Sequence, residues 1–368
     1  MNKSLRVCYL VQNLVHVGRW ARYLLERGHD VHVVGMEKPD VPGAAFHPVK
    51  FQRLGNYAVF VLNVPFVRAL IAAIAPDVVH AYYATNFGFL GALAAGRRPF
   101  VVSVAGSDVY DALKSPVLRR LNAFAFRRAD RINAGALHVA NMVIAYGIPS
   151  SKIDVFPKGV NMSLFSPREN AAAGGDPVII CNRRFEKVYD PAVPVEAMPA
   201  VRNRFPGAKL IMIGRGPLKP EVERIVELRG LGGAVEIHDE VPHSLMPGFL
   251  AQADLYVSTS LSDGTSVSLL EAMAAGCFPV VTDFPTNREW ITDGDNGFLV
   301  PPGRHDLLAD AVIRAASDPG LTAAARAKNR EIVASKAEES LIMDRLLDSY
   351  GRAIEQRRRK ERLHAPHL

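Results

Sequence analysis

The sequence is poor in cysteine. Its 368 residues include three cysteines, and none lies in a CxxC or a Cys/His metal-ligand spacing. This scarcity excludes a disulfide-stapled fold and a cysteine-based zinc site. Because Cys8, Cys181 and Cys277 sit in or beside predicted strands, we expect buried free thiols in a reducing cytoplasm.

Long hydrophobic runs are also missing. No stretch of about 18 uncharged apolar residues occurs, so a transmembrane helix is not expected. The apolar run 7–17 is interrupted by Gln12, Asn13 and His16, and no small-residue cleavage site follows it. We therefore interpret this run as a buried first strand and not as a signal peptide.

Basic residues outnumber acidic ones, 44 to 37, which gives a net charge of +7. They cluster at Arg97–Arg98, Arg119–Arg120, Arg127–Arg131 and Gln356–Arg362. Neither an aromatic stacking platform nor a DNA-binding motif accompanies them, so no nucleic-acid partner is expected. Peripheral contact with an anionic membrane, on its inner face, or with a charged acceptor fits this charge better. A merely solvated basic face is the alternative.

Apolar, β-branched runs alternate with amphipathic stretches, and this alternation is typical of parallel sheets covered by helices. A chain of this length fits two such domains. We predict N-terminal strands at Arg6–Val11, Asp30–Val34, Asp77–His80, Phe100–Val104, Arg131–Asn133 and Ile153–Phe156. The helices between them are predicted at Gly18–Arg27, Val64–Ala75, Phe87–Ala95, Pro116–Arg128 and Leu137–Tyr146.

A polar stretch rich in Gly, Pro and Ala, Ser166–Pro177, predicts a linker between domains of residues 1–165 and 178–335. Strands of the second domain are predicted at Val178–Cys181, Lys209–Ile213, Val235–His238, Leu255–Ser258 and Pro279–Val281. Its helices are predicted at Val193–Arg204, Pro220–Arg229, Ser244–Gln252, Val267–Ala275, Arg304–Ser317 and Leu321–Ser335. Residues 336–368 are predicted to form a last helix, Glu338–Lys360, and a basic tail.

The stretch Asp254–Val300 has the clearest chemical content. Seven residues separate Asp263, on a turn of small residues, from Glu271, about two turns into the following helix. Exposed N–H groups at a helix start suit an anion such as a pyrophosphate. Carboxylates suit the hydroxyls of a sugar or a ribose. The stretch therefore predicts a sugar-nucleotide site.

Within it, the segment SDGTSVSLLEAMAAGCFPVV resembles the acidic-x7-Glu signature of the retaining glycosyltransferases of family 4. The chain has Asp263 where glutamate is usual, and its turn lacks the usual aromatic. Four other segments follow in the family's order, namely Asp77–Tyr110, Phe156–Pro167, Met212–Lys219 and Asn296–Gly303. The resemblance covers nearly the whole chain. It implies the GT-B fold, two doubly wound, Rossmann-like α/β domains facing across a cleft, with the last helix crossing back to the first domain.

The resemblance implies that Glu271 bonds the ribose of the nucleotide and that Asp263 contacts the transferred sugar. The turn amides that would face the pyrophosphate or the sugar are those of Gly264, Thr265 and Ser266. The alternative is an ordinary helix start, in which Asp263 is a cap and Glu271 is solvated. We favour the functional interpretation because Glu271 lies in an almost wholly apolar helix, where a carboxylate without a partner is costly.

In family 4, an arginine and a lysine after the first strand of this domain bind the donor phosphates. Alignment pairs that arginine with Arg184 and that lysine with Tyr189, while Lys187 lies two residues early. Arg183 is a further candidate, and a solvated basic loop is the alternative. Arginine suits this role because it binds phosphate oxygens bidentately and stabilises charge on the leaving group.

Two more segments are expected near the nucleotide. Gly214 and Gly216 form a GxG after a strand, which is either a close approach to the donor or only a tight turn. The segment Ile237–His243 is expected to approach the base through backbone groups such as those of Val241.

Candidates in the first domain follow its strands. His80 stands where many relatives have the first of two histidines, and Tyr82, which can bond a sugar hydroxyl, stands at the second place. His80 is either a site residue or a satisfied buried histidine. Asp108 either faces the acceptor or donor or caps the next segment. His16 and Arg19, on the first strand-to-helix turn, could reach an acceptor.

The activity implied by the resemblance is retaining transfer of a hexose or an N-acetylhexosamine from a nucleotide sugar to an acceptor hydroxyl. UDP is the expected nucleotide and GDP the alternative. The expected acceptor is a glycan or a lipid-linked intermediate of cell-surface glycan, lipopolysaccharide or exopolysaccharide synthesis. No metal or other cofactor is expected, since Arg184 and helix amides would neutralise the pyrophosphate. The DxD-like Asp293–Asp295 is expected to be structural.

Other classes of protein stay open. A nicotinamide dehydrogenase would need GxGxxG after the first strand, which Asn13–Trp20 lacks. A sugar-nucleotide epimerase or a glycoside phosphorylase can share the GT-B architecture. A non-catalytic nucleotide-sugar-binding protein is a further alternative, because the second histidine is missing.

Overall fold

The computed structural model describes residues 4–12, 17–38, 40–49, 58–167 and 175–363. The chain divides into two compact units. The first unit contains the residues up to Lys158 and those from Ile342 onward, and the second contains Gly159–Leu341. Among the described residues, none of the helices has the length and apolar character needed to span a bilayer.

The first unit is built on a seven-stranded sheet in the order β3-β2-β1-β4-β5-β6-β7, with every pair parallel. The strands are β1 (Arg6–Val11), β2 (Asp30–Gly35), β3 (Ala45–Pro48), β4 (Val78–Tyr82), β5 (Phe100–Val104), β6 (Arg131–Ala134) and β7 (Ile153–Val155). The helices are α1 (Gly18–Glu26), α2 (Ala58–Ile74), α3 (Phe89–Ala94), α4 (Ser107–Leu113), α5 (Pro116–Arg128) and α6 (Leu137–Ile144). A π-helical turn, Ala84–Gly88, precedes α3.

The second unit has a six-stranded parallel sheet in the order β10-β9-β8-β11-β12-β13. Its strands are β8 (Val178–Cys181), β9 (Lys209–Ile213), β10 (Val235–His238), β11 (Leu255–Ser258), β12 (Phe278–Thr282) and β13 (Phe298–Val300). Its helices are α7 (Ala192–Arg204), α8 (Lys219–Leu228), α9 (Met246–Leu250), α10 (Val267–Ala275), α11 (Pro285–Arg288), α12 (His305–Ala316) and α13 (Pro319–Ala337). Two doubly wound α/β domains are thus confirmed.

The last helix, α14 (Glu339–Leu363), belongs to the first unit from Ile342 onward. Its apolar stripe packs against the side chains of β1 and α1, and it is formed by Ile342, Met343, Leu346, Tyr350 and Ala353. The Tyr350 hydroxyl lies 3.0 Å from that of Tyr9, on β1. Burial of this stripe completes one face of the first sheet.

The unit boundary differs from the predicted domain boundary at residue 165. Residues Gly159–Phe165 belong to the second unit, because Val160 pairs with Glu338 and Phe165 packs in the apolar cluster that contains Leu270. The predicted linker, Ser166–Pro177, falls largely on residues 168–174, which lie outside the described residues.

All three cysteines are buried and free, as expected. Burial raises the pKa of the Cys8, Cys181 and Cys277 thiols above the usual range, which keeps them protonated and unreactive.

Candidate active site

The strand order of the second sheet locates the candidate site. The order reverses at β8, since β9 lies on one side of it and β11 on the other. In doubly wound sheets, ligands bind beyond the carboxyl ends of the strands at such a switch point. Arg183 follows β8 and Asp263 follows β11, so both stand at this position.

Arg183 is at the centre of the site. One terminal nitrogen of its guanidinium donates to Ser266 Oγ at 2.7 Å, and the other bonds the Asp263 carboxylate. The guanidinium also lies 4.4 Å from the ring centroid of Tyr189. Its side chain is only 10% exposed. Burial lowers the pKa of Arg183, but the charge and hydrogen bond of Asp263, together with the nearby Tyr256 and Tyr189, raise it by more, so a fixed positive charge stands in the site.

The GxG loop holds the Arg183 segment in place. A Cβ on Gly214 would stand 2.5 Å from the carbonyl oxygen of Arg183, and one on Gly216 would stand 2.3 Å from that of Phe185. Gly216 also has a φ of +155°. The Phe185 amide donates to the Arg215 carbonyl at 3.0 Å. The two glycines therefore permit a close approach of backbone to backbone.

The start of α10 is a second part of the site. Ser266 caps it, accepting from the Leu269 amide at 3.3 Å, and its hydroxyl also receives the bond from Arg183. The Trp290 indole donates to Thr265 Oγ1 at 3.4 Å, and the Thr286 hydroxyl donates to the Asp263 carbonyl at 3.1 Å. Gly264, between them, is buried. The turn is thus held rigidly at the helix N-terminus, where an anion is favoured.

Glu271 is buried inside the second unit, as the apolar sequence around it predicts. Its Oε1 lies 2.8 Å from His243 Nε2, so the carboxylate is neither solvated nor isolated. The alternative of a solvated glutamate is therefore wrong.

The remaining candidates of the second unit lie around this cluster. Arg184 is about half exposed and pairs with Glu186 at 3.1 Å, so the structure brings Arg183, and not Arg184, to Asp263. Lys187 is exposed and opens a short 3-10 turn. Val241 is half-buried against the apolar cluster that includes α10.

His80 is a fully buried structural residue in the first unit. Its Nδ1 lies 2.7 Å from the Tyr350 hydroxyl and its Nε2 lies 2.7 Å from Ser103 Oγ. The Trp20 indole stacks on the ring at 5.6 Å. Burial lowers the pKa of His80 to about 3, so the imidazole is neutral. Of its two interpretations, the structure supports the satisfied buried histidine.

Tyr82 lies beside this network. It is 8% exposed, with the edge of Trp20 against its ring and the Lys158 ammonium 5.4 Å from the ring centroid. The side chain stands at the carboxyl end of β4, next to the point where the strand order of the first sheet reverses.

Asp108 joins two loops at the carboxyl edge of the first sheet. It is buried, and it accepts from the amides of Ala84 at 2.7 Å and of Ala105 and Gly106 at 3.0 Å each. Burial raises the pKa of Asp108 to about 6, against the effect of these amides. The bond to Ala84 holds the loop that contains Tyr83, whose φ is +82°. The buried Asp108 carboxylate thus fixes the two loops relative to each other at this edge of the sheet.

The DxD-like segment has a structural role. Asp293 accepts from the Leu299 amide at 2.9 Å and Asp295 pairs with Lys328. Across the described ranges, no three His, Cys, Asp or Glu side chains are grouped to hold a metal ion. His16 lies outside the described residues, while Arg19 is on α1.

Two residues of the cluster were not identified from the sequence. His243, the partner of Glu271, ends the segment expected to approach the base, but it was not singled out. Thr286, on α11, supports the Asp263 turn from a helix that was not predicted. A single hydroxyl on a four-residue helix and an imidazole at a short turn give no periodic signal in the sequence, and only tertiary contacts relate them to the two acids.

Comparison with known families gives two matches. The family described as "Glycosyl transferases group 1" matches residues 164–332, and "Glycosyl transferase 4-like" matches residues 6–135. The first match covers all the residues described above for the candidate site of the second unit, from Arg183 to Trp290. The second match covers most of the first sheet.

Curated relatives and solved structures agree with these two family matches. The phosphatidyl-myo-inositol mannosyltransferase of Mycolicibacterium smegmatis is 28% identical over 86% of this chain and 84% of its own. The GDP-mannose-dependent alpha-(1-6)-phosphatidylinositol monomannoside mannosyltransferase of the same organism is 26% identical over 66% of this chain and 67% of its own. The crystal structure of Anabaena HepE with UDP-glucose matches with a TM-score of 0.78 and 18% identity, over 94% of this chain and 99% of that one. The chain therefore belongs to the glycosyltransferases of family 4 and has the GT-B fold.

Proposed function

We propose that the protein is a retaining hexosyltransferase that moves a hexose or an N-acetylhexosamine from a nucleotide sugar to an acceptor hydroxyl. The observation that carries this proposal is the cluster at the switch point of the second sheet, where Arg183 and Asp263 meet the start of α10. A guanidinium and helix amides suit a diphosphate. The carboxylates of Asp263 and Glu271 suit hydroxyls of the sugar and the ribose.

In the proposed reaction, the bond between the anomeric carbon and the diphosphate oxygen breaks, and both electrons leave with the diphosphate. Arg183 and the amides at the start of α10 stabilise the charge that builds there. The acceptor hydroxyl attacks the anomeric carbon on the face from which the diphosphate leaves, and its proton passes to a diphosphate oxygen. Configuration is thereby retained without a protein nucleophile or a metal ion.

For the donor we propose a UDP sugar, with a GDP sugar as the second candidate. UDP-glucose is the ligand named for the Anabaena structure, whereas one mycobacterial relative is named as GDP-mannose-dependent. For the acceptor we propose a glycan or a lipid-linked molecule of cell-surface synthesis. Both mannosyltransferase relatives carry a phosphatidylinositol-type acceptor in their names.

We also propose that the first unit contacts anionic membrane lipids through α5. Exposed Arg119, Arg120 and Arg127 line a groove of about 480 Å³, and the lining residues described there include no acid. The nearby side chains of Leu113 and Val117 are more than half exposed. Cations beside apolar side chains suit the interface of a bilayer. Arg119→Glu/Arg120→Glu is expected to reduce co-sedimentation with phosphatidylglycerol vesicles, and equal binding to purely zwitterionic vesicles would contradict the proposal.

The main test combines binding and turnover. A UDP or GDP sugar is expected to raise the melting temperature, and Glu271→Ala is expected to remove that shift. With an acceptor, NMR is expected to show the donor's anomeric configuration in the product, with activity kept in EDTA. Hydrolysis or epimerisation of the donor without acceptor would instead indicate an epimerase. Cleavage that depends on phosphate would indicate a phosphorylase, and binding without turnover would indicate a non-catalytic protein.

A further inference from the structure

The buried Glu271 is joined to a histidine from a distant part of the second unit. Only 4% of the Glu271 side chain is exposed, whereas 47% of the His243 side chain is. The His243 Nε2 to Glu271 Oε1 distance is 2.8 Å. Because an ionised carboxylate only accepts hydrogen bonds, the imidazole donates from Nε2. The pair thus connects a buried acid to a ring that reaches the surface.

The imidazole is fixed by its own segment of chain. It opens the 3-10 turn His243–Leu245 directly after Pro242. The ring of Phe165, which is fully buried, meets it edge to face at 5.8 Å. Met246, which begins α9, packs on the same apolar cluster as α10. The Phe165 ring and the anchored turn therefore hold the imidazole against Glu271.

The position of this segment relates it to the candidate site. Strand β10 is at the edge of the sheet, and α9 packs against α10, which follows β11 beyond the switch point. The loop between β10 and α9 begins at the carboxyl end of β10 and ends at α9, beside α10. His243 therefore stands on the carboxyl side of the sheet, where the site lies.

We propose that His243 is a positioning residue for the nucleotide-sugar site, and that its hydrogen bond holds Glu271 in the orientation that accepts a donor hydroxyl. This inference rests on the proposed function, because it assumes that Glu271 binds the donor. A carboxylate has about four acceptor positions, so the bond to His243 is compatible with a further bond to a ligand. An acid that is oriented before binding loses less side-chain entropy when the donor arrives.

The test is a comparison of His243→Ala and His243→Gln in the full chain. The alanine variant removes the donor to Glu271, so the Kd for UDP or GDP and the KM for the donor sugar are expected to rise about tenfold, with kcat within about twofold. Glutamine keeps an N–H at the end of a side chain of similar reach, and it is expected to restore a large part of the affinity. Rescue by glutamine would separate the hydrogen bond from a general loss of packing.

His305→Ala is the matched control. His305 is an exposed histidine of the same unit, at the start of α12 and outside the segments assigned to the donor, so wild-type donor affinity is expected. Unchanged donor affinity in His243→Ala, while Glu271→Ala is impaired, would overturn the inference and leave the proposed function intact. A loss of kcat with unchanged KM, or no rescue by glutamine, would overturn it as well. Failure of the wild-type protein to bind any nucleotide sugar would contradict the proposed function itself.

Discussion

Two neighbouring arginines have different environments. Arg183 is buried between Asp263 and Ser266, whereas Arg184 is about half exposed and pairs with Glu186. Replacing one member of a buried ion pair leaves its partner uncompensated, which costs about 3–5 kcal/mol. An exposed pair contributes about 0–1 kcal/mol. The two positions therefore predict separate phenotypes.

Arg183→Lys is expected to lower kcat/KM at least about 100-fold, because lysine keeps the charge but loses the two-pronged geometry that serves Asp263 and Ser266 together. Arg184→Ala is expected to stay within about threefold of the wild type. Steady-state kinetics with the donor varied, together with melting temperatures, would measure both. An equal loss in the two variants would show that Arg184 also binds the diphosphate.

His80 predicts a pH dependence of stability. Burial lowers the pKa of His80 to about 3 in the folded protein, from 6.5. Between these values the unfolded chain binds a proton that the folded chain does not, so stability is present above pH 6.5 and is lost as the pH falls. His80→Asn lacks this titration. The melting temperature of this variant is expected to be below that of the wild type at pH 7 but to approach it at pH 4. A difference in melting temperature that is the same at both pH values would contradict this.

The two acids of the candidate site were singled out from the sequence, but the orientation of its arginines was not. Asp263 and Glu271 were identified because a turn of small residues and an apolar helix place them by regular geometry. Which of Arg183 and Arg184 turns inward depends on contacts from Ser266 and the GxG loop, which are distant in sequence. The burial of His80 depends likewise on Tyr350, 270 residues away.

Among the elements, the buried central strands were predicted best. Strands β1, β5, β8, β9 and β11 lie inside the sheets and have the predicted bounds, since continuous apolar runs identify them. The edge strand β10 has the predicted bounds as well. The short edge strands β3 and β13 were missed, and β3 is half-buried, with His47 and Pro48 at its end. Helix α2 was predicted to begin at Val64, but it begins at Ala58 and includes Pro65 in its interior.

Substitution of Gly214, in the GxG loop after β9, is expected to destabilise the protein. A methyl group on Gly214 would stand 2.5 Å from the Arg183 carbonyl oxygen, so Gly214→Ala must displace the Arg183 segment. A loss of roughly 1–3 kcal/mol is expected, with weaker nucleotide binding. Gly233→Ala is the matched control, since nothing lies within 4 Å of its added methyl group. Denaturant unfolding and titration calorimetry would measure the two effects, and equal stability of both variants would contradict the assignment.

At the scale of the whole molecule, α14 is part of the first unit's core. Leu346 is fully buried against β1 and α1, whereas Leu363, on the same helix, is 82% exposed. Leu346→Ala is expected to cost about 2–5 kcal/mol. Leu363→Ala is expected to stay within about 0.5 kcal/mol. Chemical denaturation would separate them, and a similar small change in both would show that the helix adds little to this unit.

This arrangement has a consequence for biosynthesis. A nascent chain that has reached Lys158 carries the strands of the first sheet, but the stripe that covers β1 is translated only after Gly159–Leu341. At about 5–20 residues per second, that interval lasts on the order of ten seconds or more. During it, the second unit can fold while the first still exposes apolar surface to solvent. Chaperone capture during translation is therefore expected to favour the N-terminal half.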